Sequence, residues 1–215
     1  MDDYGKQTSD SYDRVAAEYD QRIGDELDHK PLERDLLDRF VASVEGRICD
    51  LGCGPGHVTR YLHERGADAF GIDLSPGMIE QAKLRNPSLT FEQGDMRALK
   101  LDDDSLGGIL LLYSIIHIPR DEVTGVLREL RRVLKPGGQL LVGFHKGQEI
   151  LHQAELWGKV VNLDAYFFEP DEMTRYLEAA GFDIAEVIER PPYPEVEYQS
   201  HRAYIWAQKP IGAVS

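Results

Sequence analysis

The sequence is poor in cysteine and has no long apolar run, and each shortage excludes a class of protein. Its 215 residues include two cysteines, too few for the disulfide framework of a small secreted protein. No apolar stretch approaches the roughly 18 residues that a membrane-spanning helix needs. The chain opens Met1-Asp2-Asp3, without the basic and then apolar layout of a secretory signal. We therefore predict a cytoplasmic protein with no role in a membrane.

Basic residues are scarce as well. The chain has 24 lysines and arginines against 38 aspartates and glutamates, and its formal net charge is −14. A protein that binds a nucleic-acid backbone needs a basic face, so this balance argues against a nucleic-acid partner. The length suits one domain with a full core, and no internal repeat is visible, so we predict a single domain over residues 1–215. The oligomeric state is not predicted.

What the chain does have is a glycine-rich turn between an apolar run and a helix-like segment. Residues 47–56 read Arg-Ile-Cys-Asp-Leu-Gly-Cys-Gly-Pro-Gly, and the apolar run holds one acid, Asp50. The glycines alternate along the turn, at Gly52, Gly54 and Gly56. Such a turn lets the backbone approach a ligand where a Cβ would collide, and the amides at the start of the next helix point at that ligand. The turn predicts a cofactor site and leaves the cofactor open.

Two interpretations of this loop compete. The GxGxxG loop of an NAD(P)-dependent oxidoreductase would need its third glycine at His57, so that interpretation fits imperfectly. The motif from Asp50 to Gly56 instead resembles the first motif of class I S-adenosylmethionine-dependent methyltransferases. The resemblance implies S-adenosylmethionine as cofactor and S-adenosylhomocysteine as product. Cys49 and Cys53 do not have the spacing of a paired zinc site, so no metal is predicted there.

Two further acids follow predicted strands. Asp73 lies 21 residues after Gly52, where an acid can accept hydrogen bonds from both ribose hydroxyls. The segment that it begins resembles the family's second motif, in which apolar residues such as Leu74 and Met78 flank the adenine. Asp95 and Met96 follow the third strand, where the family has an acid for the adenine amino group. The resemblance thus implies a full set of cofactor-binding residues: Tyr19, Asp50, Gly52, Cys53, Gly54, Asp73, Leu74, Met78, Asp95, Met96 and Tyr113.

Residues after the fourth and fifth strands are placed between cofactor and acceptor, because ligands of open α/β sheets bind beyond the carboxyl ends of the strands. His117 and His145 are the candidate catalytic bases, needed only if the acceptor must lose a proton. A histidine that merely caps or packs is the alternative for each. The predicted substrate-binding residues are Tyr12, Ser114, His117, His145, Trp157 and Phe168. In the resemblance, the stretch from Tyr12 to Asp20 forms a lid, and its tyrosine, Tyr19, binds the cofactor carboxylate. Arg190, His201 and Arg202 are predicted to be surface charges, and a contact with an acidic acceptor is the alternative.

Short apolar strands alternate with helices along the middle of the chain. Strands are expected at 47–52, 68–73, 89–93, 107–114 and 138–145, and helices at 57–65, 76–85 and 120–134. One helix before them is expected to begin after a Ser9-Asp10-Ser11 cap, and a second at Pro31. No regular element is predicted between residue 146 and a helix at 170–180. Strands at 182–190 and 198–208 then close the chain, joined too briefly for a crossover, so they are antiparallel.

This pattern predicts an α/β, Rossmann-like fold: a seven-stranded, mostly parallel sheet with a C-terminal antiparallel pair and helices on both faces. The predicted parts are an N-terminal helical lid (1–45), a cofactor-binding core (46–145), a substrate-side insert (146–169) and a last helix with antiparallel strands (170–209). The predicted function is metal-independent methyl transfer to a small-molecule acceptor by in-line displacement. The alternatives are an NAD(P)-dependent oxidoreductase and a non-catalytic cofactor-binding module. The sequence does not identify the acceptor, its reacting atom or the pathway.

Overall fold

A computed structural model describes residues 3–212, which contain nine strands and six α-helices. The helices are α1 (Asp3–Ile23), α2 (Pro31–Ser43), α3 (His57–Glu64), α4 (Pro76–Arg85), α5 (Arg120–Val133) and α6 (Pro170–Ala179). The strands are β1 (Ile48–Leu51), β2 (Ala69–Asp73), β3 (Thr90–Gln93), β4 (Leu106–Leu112), β5 (Leu134–His145), β6 (Ile150–Leu156), β7 (Lys159–Tyr166), β8 (Asp183–Arg190) and β9 (Arg202–Gln208). Short 3-10 helices lie at Glu26–His29 and Ile115–His117.

Seven strands form one sheet in the order β3-β2-β1-β4-β5-β9-β8. The first five are mutually parallel, and β9 lies antiparallel between β5 and β8. The predicted Rossmann-like fold with its C-terminal antiparallel pair is confirmed. The strand order reverses between β1 and β4, since the chain runs outward from β1 through β3 and then returns to β4. This reversal opens a crevice at the carboxyl ends of the strands, where such sheets bind ligands.

Successive residues of the central strands point to opposite faces of the sheet, and both faces are covered. In β4, Ile109 and Leu111 join the core under α5 and α6, whereas Leu110 joins the core under α2 and α3. All three side chains are fully buried. Burial on both faces explains why these strands read as continuous apolar runs in the sequence.

The N-terminal region differs from the prediction. The Ser9-Asp10-Ser11 cap is wrong, because these residues lie inside α1, which begins by Asp3. Ser9 and Ser11 are buried, and their hydroxyls donate to the carbonyls of Leu74 and Gln7. A serine that hydrogen-bonds the preceding turn or a neighbouring segment is compatible with a helix interior, which composition alone does not reveal.

The segment after residue 146 is a β-hairpin, a regular element that the sequence did not predict. Strands β6 and β7 pair antiparallel as a separate two-stranded sheet. Their two-residue loop has Trp157 at φ 52° and Gly158 at φ 79°, the left-handed pair of a type I′ turn. The hairpin packs on α1, where the Asn162 amide donates to Ser11 Oγ at 3.0 Å. Helix α1 and the hairpin therefore cover the carboxyl ends of the sheet together.

Within residues 3–212, no helix combines the length and the apolar character that crossing a membrane requires. The single-domain prediction and its division into four parts stay predictions. Their outermost residues, 1–2 and 213–215, lie outside the described residues.

Candidate active site

A cavity of about 1160 Å³, measured to its open mouth, lies at the carboxyl ends of β1, β2 and β4. Helix α1 closes one side with Tyr4, Thr8, Tyr12 and Tyr19. The cavity brings together all but three of the predicted site residues: Tyr12, Tyr19, Asp50, Gly52, Cys53, Gly54, Asp73, Leu74, Met78, Asp95, Met96, Tyr113, Ser114 and His117.

The glycine loop forms the floor of the cavity, and its glycines are needed for different reasons. All three have positive φ, at 76°, 52° and 81° for Gly52, Gly54 and Gly56. A Cβ on Gly52 would lie 2.2 Å from the Cβ of Ser114, and one on Gly56 would lie 2.6 Å from the ring of Phe91. A Cβ on Gly54 would come no nearer than 4.0 Å to its closest neighbour, the ring of Tyr19. Gly54 therefore faces open cavity, whereas the other two face packed side chains.

Asp73 links the glycine loop to α4. Its carboxylate accepts from the amides of Gly54 and Ser75, each at 2.8 Å and each on a different oxygen. Every oxygen keeps a second lone pair, so the carboxylate can still accept two donors from a ligand. Burial raises the pKa of Asp73 to about 6, although the two amide hydrogen bonds oppose the shift.

Asp50 holds the start of α3 in place. It is 2% exposed and accepts from the hydroxyl of Thr59 at 2.7 Å. Burial raises the pKa of Asp50, and the hydrogen bond from Thr59 partly offsets that rise. The carboxylate thus fixes the helix whose first amides face the cavity behind the glycine loop.

The far end of the cavity, after β2 and β3, has the predicted mixture of acid and apolar groups. Asp95 accepts from the amide of Arg97 at 3.0 Å and pairs with its guanidinium at 3.6 Å. Leu74, Met78 and Met96 line the same cavity. A flat heterocycle would find apolar contacts and a hydrogen-bond acceptor together at this end.

His117 lies on the opposite side, in the 3-10 turn after β4, and its hydrogen bonds fix its tautomer. Nδ1 lies 2.8 Å from the carbonyl oxygen of Asp164, which only accepts, so Nδ1 carries the proton. Nε2 is then the acceptor for the hydroxyl of Tyr12, at 2.7 Å. Burial lowers the pKa of His117, against the opposing effect of Asp164. Burial and the Tyr12 hydroxyl thus favour the neutral imidazole, whose Nε2 lone pair faces the cavity and accepts the hydrogen bond from Tyr12.

Tyr113 begins a buried hydrogen-bonded chain that the sequence did not reveal. Its backbone is left-handed, at φ 54°, and its hydroxyl lies 2.5 Å from that of Tyr204. Tyr204 in turn donates to Glu33 Oε1 at 2.5 Å, and the guanidinium of Arg190 also hydrogen-bonds this oxygen. Glu33 is 2% exposed and lines the cavity. Its other oxygen, Oε2, has no hydrogen-bond partner among the described residues.

A second unexpected cluster, around Glu26, lies beside the start of α3. Glu26 accepts from Lys30 at 2.7 Å and from His57 Nε2 at 3.2 Å, and all three line the cavity. Burial alone would raise the pKa of Glu26, but the bonds from His57 and Lys30 lower it to about 2. No role in the site was predicted for Glu26 or Lys30. The burial of Glu33 could have been predicted, because Glu33 lies on the same face of α2 as the apolar residues Leu36, Leu37 and Phe40.

Three predicted site residues lie outside the cavity. His145 stacks on Phe167 with ring centroids 4.8 Å apart and contacts Ser200, and burial lowers its pKa to about 3. Trp157 lies at the hairpin turn and packs behind Tyr19. Phe168 is fully buried and packs edge-on against Phe144 in the core. In this conformation none of the three faces an acceptor in the cavity.

The surface positions predicted for Arg190 and Arg202 are wrong. Their side chains are 7% and 3% exposed. Glu197 lies between them, and both guanidiniums pair with its carboxylate. The partners come from the segment between β8 and β9 and from α2, so only the tertiary fold could show that these charges are buried.

The residues present fit S-adenosylmethionine. Gly54 leaves a space that a Cβ would enter, and Asp73 keeps lone pairs for two hydroxyl donors. His57 Nδ1, also at the cavity, is a further buried atom with no partner among residues 3–212. No group of three His, Cys, Asp or Glu side chains in this part of the chain is arranged to hold a metal ion.

Comparison with known proteins agrees with this geometry. Residues 48–138 match a family model described as a methyltransferase domain. The chain is 38% identical over 112 residues to trans-aconitate 2-methyltransferase of Methylobacterium nodulans. The matched stretch covers 50% of this chain and 42% of the relative. It is 30% identical over 189 residues to malonyl-[acyl-carrier protein] O-methyltransferase of Halorhodospira halophila, covering 80% and 60%. The chain spans about half the length of the curated relatives that it matches first.

The fold has solved counterparts. The complex of DhpI with SAH superimposes with a TM-score of 0.75 at 21% identity, covering 96% of this chain and 97% of that chain. None of these similarities supports the oxidoreductase alternative. Residues 48–138 are therefore similar to a methyltransferase domain, and the fold of the chain is that of the DhpI–SAH complex.

Proposed function

We propose that the chain transfers the methyl group of S-adenosylmethionine to a small-molecule acceptor, with His117 as general base. One observation carries the proposal: a single cavity joins the glycine loop, Asp73 and Asp95 to a histidine whose Nε2 can accept a proton and contacts only the Tyr12 hydroxyl. The relative named for trans-aconitate supports an acceptor of small size.

The cofactor would lie along the cavity from the glycine loop to the end of β3. Asp73 would accept from the ribose hydroxyls with its two remaining lone pairs, and Asp95 would accept from the adenine amino group. Leu74, Met78 and Met96 would flank the adenine ring. Tyr19 on α1 lies near Gly54 and would contact the amino-acid portion. When bound, the cofactor supplies a methyl group on a sulfonium centre, which is electrophilic without any metal.

His117 removes the proton of an acceptor O–H or N–H. The Asp164 carbonyl holds the Nδ1–H tautomer, so Nε2 would receive the proton of the acceptor. The acceptor atom would bond to the methyl group as the C–S bond of the sulfonium breaks, and the sulfur would keep that electron pair. Tyr12 occupies Nε2 in the free protein. The acceptor therefore either displaces the Tyr12 hydroxyl or passes its proton through it. Ser114 and Tyr113 line the same cavity as His117 and would contact the acceptor.

The remaining predicted properties belong to the same proposal. A cytoplasmic location and the lack of a nucleic-acid or membrane partner are supported by composition and by a net charge of −14. We also propose metal independence, because a sulfonium methyl group is electrophilic without a metal. A cofactor-binding module without turnover stays the alternative, which a measured rate would exclude.

The test compares His117→Asn with His201→Asn. Asparagine at 117 can still donate to the Asp164 carbonyl but has no basic nitrogen, whereas His201 is exposed and lies outside the cavity. Methyl transfer from labelled S-adenosylmethionine to a panel of phenols and amines should fall about 10²–10⁴-fold in the first variant, with S-adenosylhomocysteine binding unchanged. The second variant should keep wild-type rates. Wild-type rates in His117→Asn, or no transfer to any acceptor by the wild type, would contradict the proposal.

A further inference from the structure

Glu33 lines the cavity, and its oxygen Oε2 is buried without a hydrogen-bond donor among the described residues. A buried carboxylate oxygen without a donor is costly, so it marks a place where a ligand donates a hydrogen bond. Glu33 reaches the cavity from α2, on the side of Tyr113 and of Tyr204 in β9. The predicted adenosine residues follow β2 and β3, at the opposite side of the sheet. Glu33 therefore lies where the acceptor would bind.

The charges that line the cavity favour a cationic ligand at this position. Besides Glu33, the lining acids are Glu26, Asp50, Asp73 and Asp95, and the lining bases are Lys30 and Arg97. Both bases already have carboxylate partners: Lys30 pairs with Glu26 at 2.7 Å, and Arg97 pairs with Glu122 at 2.6 Å. A carboxylate acceptor would have to compete for these bases and would face the unpartnered Oε2 of Glu33, whose Oε1 pairs with Arg190.

Aromatic side chains line the same cavity. Tyr4, Tyr12 and Tyr113 line the cavity, and the ammonium of Lys30 already lies 5.5 Å from the ring centre of Tyr113. Tyrosine faces attract cations and pack well against a flat apolar body. The lining therefore suits a molecule that is both aromatic and positively charged.

We propose that Glu33 Oε2 anchors the acceptor and that the acceptor is a small aromatic amine whose ammonium donates to this oxygen. A protonated amine is not a nucleophile, so the ammonium is the anchor and the methylated atom is a second group of the same molecule. The proposal rests on the methyl-transfer function proposed above. It assigns this chain an acceptor class different from the carboxyl compounds named for its relatives.

The experiment uses two probes that differ only in the charged group. Tyramine carries an ammonium, and phloretate carries a carboxylate on the same phenolic body. Calorimetry on the wild-type protein saturated with S-adenosylhomocysteine should show tyramine binding about tenfold or more tighter, which is the strength of a hydrogen bond to a charged group. In Glu33→Gln the ratio should fall close to one. Tyr204→Phe removes a donor to Oε1 but keeps Oε2, so it should keep the wild-type ratio.

The outcomes separate the two proposals. Phloretate binding at least as tightly as tyramine, or neither probe binding at millimolar concentration, would overturn the amine class, and the wild type alone decides this. A Glu33→Gln variant that melts lower but keeps the tyramine preference would show that Glu33 serves only the fold. A tenfold loss of S-adenosylhomocysteine affinity in that variant would assign Glu33 to the cofactor instead. Failure of the wild type to bind S-adenosylhomocysteine would refute the methyl-transfer function itself.

Discussion

Alanine at Gly54 should weaken cofactor binding far more than it weakens the fold. The residue has φ 52°, so an alanine there costs about 1–2 kcal/mol in a left-handed conformation. The added Cβ meets nothing nearer than 4.0 Å, so no clash adds to this cost. For a chain of this size the melting temperature should fall by about 2–8 °C. The methyl group enters the cavity, however, and overpacking against a bound cofactor costs about 1–3 kcal/mol, or roughly 5–150-fold in Kd.

The same substitution at Gly52 should act on the fold first. Its Cβ would lie 2.2 Å from the Cβ of Ser114, which is held by a 2.8 Å hydrogen bond to the Leu51 carbonyl. Overpacking adds about 1–3 kcal/mol to the conformational cost, so we expect a total of about 2–5 kcal/mol and a melting temperature about 4–20 °C lower. Differential scanning calorimetry should therefore rank the Gly54 variant as the more stable of the two.

Gly66→Ala is the matched control for conformation alone. Gly66 has φ 86°, an added Cβ would meet nothing within 4 Å, and the residue lies outside the cavity. It should lose stability like the Gly54 variant but keep wild-type affinity for S-adenosylhomocysteine in titration calorimetry. If Gly54→Ala also bound S-adenosylhomocysteine within about twofold of wild type, the loop would not be the cofactor cradle.

Three other outcomes follow from the buried polar groups. Tyr12→Phe removes the hydrogen-bond donor that stabilises the neutral imidazole of His117. The pKa of His117, seen on the acid limb of the rate–pH profile, should therefore rise by roughly half to one unit. An acid limb at the wild-type pH would contradict this hydrogen bond. The pKa of Asp73 is about 6 in the free protein, and the ribose hydroxyls need its ionised form. Affinity for S-adenosylhomocysteine should therefore fall below pH 6 by up to about tenfold per pH unit. An affinity that calorimetry finds independent of pH would contradict the role of Asp73. Arg190→Ala leaves the buried carboxylates of Glu33 and Glu197 short of a partner, so unfolding should cost about 3–5 kcal/mol less, and a melting temperature near that of wild type would be the contrary result.

The cofactor side of the cavity was predictable because its residues obey local rules. Asp50, Asp73 and Asp95 each lie in or directly after a strand, and parallel strands bring their carboxyl ends to one edge of the sheet. The loop was recognisable from its alternating glycines, because all three take positive φ, which other residues rarely adopt. Distance along the chain did not matter for these assignments, because the order of strands and helices fixed the geometry.

The acceptor side depends on contacts between distant segments, which the sequence pattern does not encode. His117 follows β4 and His145 ends β5, but only the first lines the cavity, because Phe167 and Ser200 contact the second. Phe168 is apolar enough for either a substrate wall or the core, and in the structure it packs against Phe144 in the core.

Two features of the structure, the buried acid Glu33 and the turn of the β6–β7 hairpin, left only weak marks in the sequence. Glu33 interrupts the apolar stripe of α2, and an acid at such a position is either paired inside the fold or exposed to a ligand. The Trp157–Gly158 pair forms a primed turn with a bulky residue at its first position, where asparagine or glycine would have been the expected marker.

The most direct test of the cofactor assignment is titration calorimetry of the wild-type protein with S-adenosylhomocysteine and, separately, with NADH. We expect one S-adenosylhomocysteine to bind per chain with micromolar Kd, no binding of NADH, and loss of the first signal in Asp73→Ala. Micromolar binding of NADH without binding of S-adenosylhomocysteine would contradict the assignment, as would an Asp73→Ala variant with wild-type affinity.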